Sequence, residues 1–218
     1  MRRIQFLIPA LFLLGQLHSQ ENSGGDALTT GMAANAKLLE QYTYKQRTEI
    51  KFKGEGRLVR INQVHFDANG KPQMTLVSQT GGNAQPSGLA KALIEKKRQE
   101  LQEYGNRITA LVEHYFPIDP QKMAAALQKA ELGGTGNSVS LVIRNYFEPR
   151  DVMSVIVDPI NKKLQKFELK TFLEKDPVTV TADMNTLPKG PVYPSFIKVK
   201  APAKDLEIDI SQYDYVKQ

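Results

Sequence analysis

The sequence predicts an α+β protein: a strongly curved antiparallel sheet of about nine strands, an unclosed half-barrel, covered by a helical lid. Three observations carry this. Several segments alternate apolar and polar residues with a period of two, the pattern of strands with one buried face. Two helix-period segments separate an N-terminal group of three such runs from a C-terminal group of six. The links between strand runs are mostly short and rich in turn residues, so neighbours in sequence pair as a meander, which reads as one curved sheet.

Met1-Arg2-Arg3, the apolar run Ile4 to Leu14 and a polar stretch ending at Ser19 read as a secretory signal peptide over residues 1–19. About eleven apolar residues fall short of the roughly 20 that a spanning helix needs, and no later segment supplies them. The chain is expected to be exported, periplasmic or secreted after cleavage, and not an integral membrane protein. It carries a formal charge of +6, and loss of Arg2 and Arg3 with the leader leaves +4. Residues 20–29 read as a flexible tether, and 30–218 as a single domain.

That domain opens with a short helix from Thr30, capped by Thr29 or Thr30 and marked by Met32, Ala33, Ala36, Leu38 and Leu39. From Tyr42 to Phe52 the even positions are Tyr, Tyr, Gln, Thr, Ile and Phe and the odd ones Thr, Lys, Arg, Glu and Lys, which is a half-buried strand. A second strand covers Arg57 to Phe66. Asp67-Ala68-Asn69-Gly70-Lys71 is a hairpin signal, returning through Gln73 to Ser78. Gln79 to Gly88 is a loop by composition. A helical hairpin over 87–132 follows: a long amphipathic helix stopped by Pro117, then a second opened by Asp119-Pro120 and ended by Gly133-Gly134. The remainder is β: Val139, Leu141 and Ile143 alternate, then Asp151 to Asp158, Lys163 to Phe172, Val178 to Met184, Val192 to Val199 and Leu206 to Tyr215. In the last strand Leu206, Ile208 and Ile210 are even whereas Tyr213 and Tyr215 are odd, which predicts a bulge near Ser211.

The chemistry is bounded by absences. With no cysteine there is no disulfide, thiolate zinc site, cysteine nucleophile or lipid-modified N-terminal cysteine. No nucleophile elbow, zinc-protease helix, phosphate-binding loop or dinucleotide fingerprint occurs. Gly133-Gly134-Thr135-Gly136 follows a helix and reads as its stop. His65 beside Asp67 and His114 in a last helical turn read as structural. Glu168, Glu174, Asp176, Asp183, Glu207 and Asp209 sit where alternation or turn chemistry explains them, so no catalytic pair stands out and a hydrolase is remote. No cofactor, metal or nucleic-acid partner is expected. Lys91, Lys96, Lys97 and Arg98, interleaved with glutamates, read as a solvated helix face or as a docking patch for an anionic lipid surface or an acidic envelope protein.

The helix Ala36-Lys37-Leu38-Leu39-Glu40-Gln41 running into Tyr42-Thr43-Tyr44-Lys45-Gln46-Arg47-Thr48-Glu49, a meander interrupted by helices, and a closing Tyr213-Asp214-Tyr215 together resemble the periplasmic lipoprotein-carrier superfamily, which includes the outer-membrane lipoprotein-sorting chaperones. The order is also similar to that of a group of exported bacterial proteins without an assigned function. The resemblance implies an unclosed barrel whose concave apolar face holds acyl chains under helices. It makes Arg47 a candidate, since the carriers use an arginine on their first long strand.

The sequence-derived candidates for a ligand face are Tyr44, Arg47, Ile50, Phe52, Val139, Leu141, Ile143, Val178 and Val180. Two readings follow. In the first, the chain is an exported non-catalytic binding protein that holds a lipid or lipoprotein acyl chain on the concave face. In the second, the same positions are a dry core and the chain is an envelope interaction or scaffold module.

Overall fold

The computed structural model describes residues 23–81, 90–115, 120–134, 138–158 and 163–218. The elements run α1 (Ser23–Leu39), β1 (Tyr42–Phe52), β2 (Glu55–Phe66), β3 (Pro72–Gly81), α2 (Ala90–Glu113), α3 (Pro120–Leu127), β4 (Glu131–Gly133), β5 (Val139–Arg144), β6 (Val152–Asp158), β7 (Lys163–Leu173), β8 (Asp176–Thr186), β9 (Val192–Ala201) and β10 (Leu206–Lys217), with a 3₁₀ turn over Pro202–Lys204 before β10. The strands form one antiparallel sheet of ten, ordered β3-β2-β1-β10-β9-β8-β7-β6-β5-β4, which does not close. The expected signal peptide and the start of the tether lie outside the described residues.

The register explains why the sheet has one apolar face. Following the pairs from β1 to β5, Ile50, Ile208, Val199, Val180, Leu169, Met153 and Ile143 stand in one row across seven strands. The adjacent row holds Ile210, Ile197, Ala182, Phe167, Val155, Leu141 and Leu132. Opposed residues of antiparallel strands share a face, so the period-two pattern becomes a continuous apolar surface. The opposite, convex face carries charges in alternation. There Lys51 pairs with Asp209, and Lys198 reaches Glu207 at 3.2 Å and Asp209 at 3.4 Å.

The helical segment lies between β3 and β4, which are the two outer strands. Its helices therefore connect one edge of the sheet to the other. Tyr104, Ile108, Leu111 and Tyr115 of α2 region and Met123 of α3 are buried against Met153, Phe167, Leu169 and Val180 of the sheet. α1 packs on α3 and reaches β9. Asn35 grips the backbone of Val192, its Nδ2 donating to the carbonyl oxygen at 2.8 Å while its Oδ1 accepts from the amide at 2.7 Å.

Four sequence expectations change. α1 begins at Ser23, not Thr30, so most of the expected tether is helical. Gly24, Gly25 and Gly31 each weaken an isolated helix, but Met32 docks on the core and Asn35 fixes the helix to β9. The second helix of the hairpin ends at Leu127, and Glu131–Gly133 forms a tenth strand because Leu132 pairs with Leu141. The returning strand β3 extends to Gly81, beyond the expected Ser78. The bulge falls at Asp214, where two residues of β10 face the single Tyr44 of β1, and Asp214 takes φ +54°. The hairpin at Asn69-Gly70 forms as expected. Asp67 Oδ1 accepts from the amides of Asn69 and Lys71 at 2.8 and 3.0 Å.

Candidate functional site

α2 is fastened to the sheet at its C-terminal end. Tyr115 is fully buried, and its hydroxyl donates to Asp151 Oδ2 at 2.8 Å and lies 2.9 Å from Thr171 Oγ1. Asp151, also without exposure, accepts the amides of Tyr146, Phe147 and Glu148 at 2.6, 2.9 and 2.9 Å. A short turn between β5 and β6 thus presents three N–H groups to one carboxylate, and the carboxylate holds the helix end. His114 stacks on Phe147 with ring centres 4.0 Å apart. Burial pushes the Tyr115 phenol well above its ordinary value.

Two turns earlier the attachment is at the surface. Arg107 forms an ion pair with Glu174, both well exposed, and the Tyr104 hydroxyl donates to Asp176 Oδ2 at 3.1 Å. Beside these residues a cleft of about 520 Å³ opens between α2 and the strand ends. Phe52, Leu101 and Tyr104 give it apolar walls; Lys53, Arg107 and Lys204 bring cationic groups, balanced by Glu100, Glu103 and Asp205. Its size lies within the usual range for small-molecule sites, roughly 300–1,000 Å³. Phe52 stands two residues along β1 from Ile50, so the cleft adjoins the first apolar row. Desolvation and the Asp176 bond push the Tyr104 phenol up to about 12.

The sequence-derived candidates divide among three places. Ile143, Val178 and Val180 are packed in the core, at most 2% exposed, and Ile50 and Leu141 lie partly buried against it. Val139 is half-buried at the start of β5. Phe52 alone of the set lines the cleft. Tyr44 sits at the far rim among aromatics, stacked on Tyr215 with ring centres 4.8 Å apart. Arg47 is on the convex face, paired with Glu49 at 2.9 Å. Of the basic cluster, Lys96 is exposed; the side chains of Lys91, Lys97 and Arg98 lie outside the described residues.

Sequence reasoning did not single out Leu101, Tyr104 or Arg107 as a site, nor Tyr115 and Asp151 as an anchor. Leu101, Tyr104 and Tyr115 were legible only as the apolar stripe of a helix, because the residues they meet are remote in sequence. Among the described residues no cluster of metal-ligating side chains occurs, and no helix is long and apolar enough to cross a membrane.

Fold and site together define a lidded half-barrel with a cleft at one rim. No family model matches the chain, and no curated protein matches it. Among solved structures the chain is similar to a DUF1329 family protein from Desulfovibrio piger, at 10% identity and a TM-score of 0.49, over 89% of this chain and 92% of that one. It is also similar to a LolA superfamily protein from Nitrosomonas europaea, at 8% identity and a TM-score of 0.40, over 86% and 94% of the two chains.

Proposed function

We propose that the chain is an exported, non-catalytic binding protein that holds the acyl chain of a lipid or lipoprotein, admitted between α2 and the sheet through the cleft at Phe52, Leu101 and Tyr104. The observation that carries this reading is the position of the cleft. It opens between α2 and the end of β1, two residues beyond Ile50 of the apolar row, on the side away from the Tyr115 anchor. An acyl chain entering there replaces water with apolar surface at roughly 0.8 kcal/mol per methylene. The charged rim stays in water and suits a polar head.

A second reading, an envelope scaffold with a dry core, draws on Ile143, Val178 and Val180, which the helices already cover. The two are separated by titrating the mature protein with a fluorescent fatty acid, beside native mass spectrometry of protein purified from its own envelope. Saturable probe binding that Leu101→Glu abolishes without loss of fold supports the carrier. A parent that never binds the probe and leaves its envelope with a clean polypeptide mass sinks it.

A further inference from the structure

The two edges of the sheet are unequal. β4 is three residues long, whereas β3 runs for ten, and every residue of β3 is exposed. Met74, Leu76 and Val77 are 56%, 56% and 57% exposed. Natural edge strands are blunted by charge, by proline, by shortness or by bulges, since their unpaired backbone groups template further pairing. β3 has proline only at its first position, and its one break in the ladder with β2 is the bulge at Val77, between the Leu76–Asn62 and Ser78–Ile61 pairs. From Pro72 to Ala90 the sequence contains no Asp, Glu, Lys, Arg or His, in a chain that is 24% charged.

We propose that β3 pairs with β3 of a second copy of this chain, antiparallel and two-fold, making one continuous sheet of the two molecules. Charge selects the occupant. An acidic partner would be met by a basic edge and a basic partner by an acidic one, and β3 offers neither. Two chains of net positive charge repel, so they approach best along a strand that brings no charge to the contact. The strand required of the partner is uncharged, extended and carries apolar side chains; β3 is such a strand, and antiparallel self-pairing centred near Leu76 sets Met74, Leu76 and Val77 of each copy beside those of the other. The contact closes on itself. Once both β3 strands are paired, the dimer has only three-residue β4 edges left, so growth stops at two.

The test is light scattering on size-exclusion-separated mature protein across a concentration series, with Leu76→Lys and Leu76→Glu variants. The parent should pass from monomer to dimer and no further. Each variant alone should dimerise at least tenfold more weakly, because like charges then face each other across the two-fold axis. An equimolar mixture should recover a dimer containing one of each. Unchanged melting temperatures show that the monomer fold is intact, as the exposure of Leu76 leads us to expect. A parent that stays monomeric at several hundred micromolar, a variant that dimerises like the parent, or a mixture that fails to recover overturns the proposal. Open-ended polymer does so as well, since a two-fold contact cannot propagate.

Discussion

Asp151 concentrates more structure on one carboxylate than any other side chain described above. It holds three backbone amides and the Tyr115 hydroxyl with no exposure to water. Asp151→Ala leaves those donors buried and unpaired, and should cost about 3 kcal/mol or more in chemical denaturation, whereas Tyr115→Phe, which removes one hydroxyl, should cost about 1–2 kcal/mol. Equal effects of the two substitutions would show that the grip on the helix, and not the turn, is what matters. A second residue-scale prediction concerns alkali. Burial raises the Tyr44 phenol from 10.0 to about 12. The folded state holds this proton more tightly than the unfolded one, so the stability it contributes is complete below pH 10 and is lost as pH rises towards 12. The loss amounts to about 2–3 kcal/mol for a shift of this size. Tyr44→Phe should flatten the decline measured by denaturation between those pH values.

At the scale of single elements, the hairpin between β2 and β3 depends on Gly70. Its φ is +73°, and a Cβ there would stand 2.7 Å from Glu40 Oε1. Gly70→Ala should destabilise by about 1–2 kcal/mol through the backbone alone, and Glu40→Ala in the same chain should recover only the part due to contact. α2 is expected to open from one end. Amide exchange should be fastest near Leu101, slower near Leu111 beside the anchor, and slowest in β8, where Val178 and Val180 are fully buried. Uniform protection along α2 would mean that the helix and sheet are one rigid unit. What the sequence makes legible at this scale is local. Alternation located the strands that bury one face, whereas β3, exposed throughout, was located as the return of the hairpin at Asn69-Gly70, where the glycine takes the positive φ of the turn cheaply. β4 escaped because three residues carry no period. The start of α1 escaped because Gly24-Gly25 reads as linker until docking offsets it. The odd tyrosines of β10 announced a bulge, but its position at Asp214 is set by the opposing Tyr44, a partner that lies far away in the chain. For the same reason the cleft was half visible: Phe52 stood out by alternation, and Leu101 could not.

For the whole molecule, the decisive pairing is β1 with β10. It joins the first strand to the last in the middle of the sheet, and the amide of Gln218 donates to the carbonyl of Gln41 at 2.8 Å. Most pairings are between sequence neighbours, but this one closes a loop of more than 150 residues. Its loop-closure entropy must be met before the sheet is continuous. Destabilising substitutions in the β1–β10 pair, such as Ile208→Val, should therefore slow refolding if this pairing forms in the transition state. If it forms late, they should chiefly accelerate unfolding, and chevron measurements distinguish the two.

The passage of the helices from β3 to β4 has a mechanical meaning as well. A sheet whose two free margins are tied by one segment of its own chain resembles a bow and its string, and the length of the string sets how far the limbs are drawn. Removing one turn from α2 shortens that tie by about 5.4 Å. The strain would fall on the outermost strands, which have a neighbour on one side only, so β3 and β4 should part from the sheet before any central strand does.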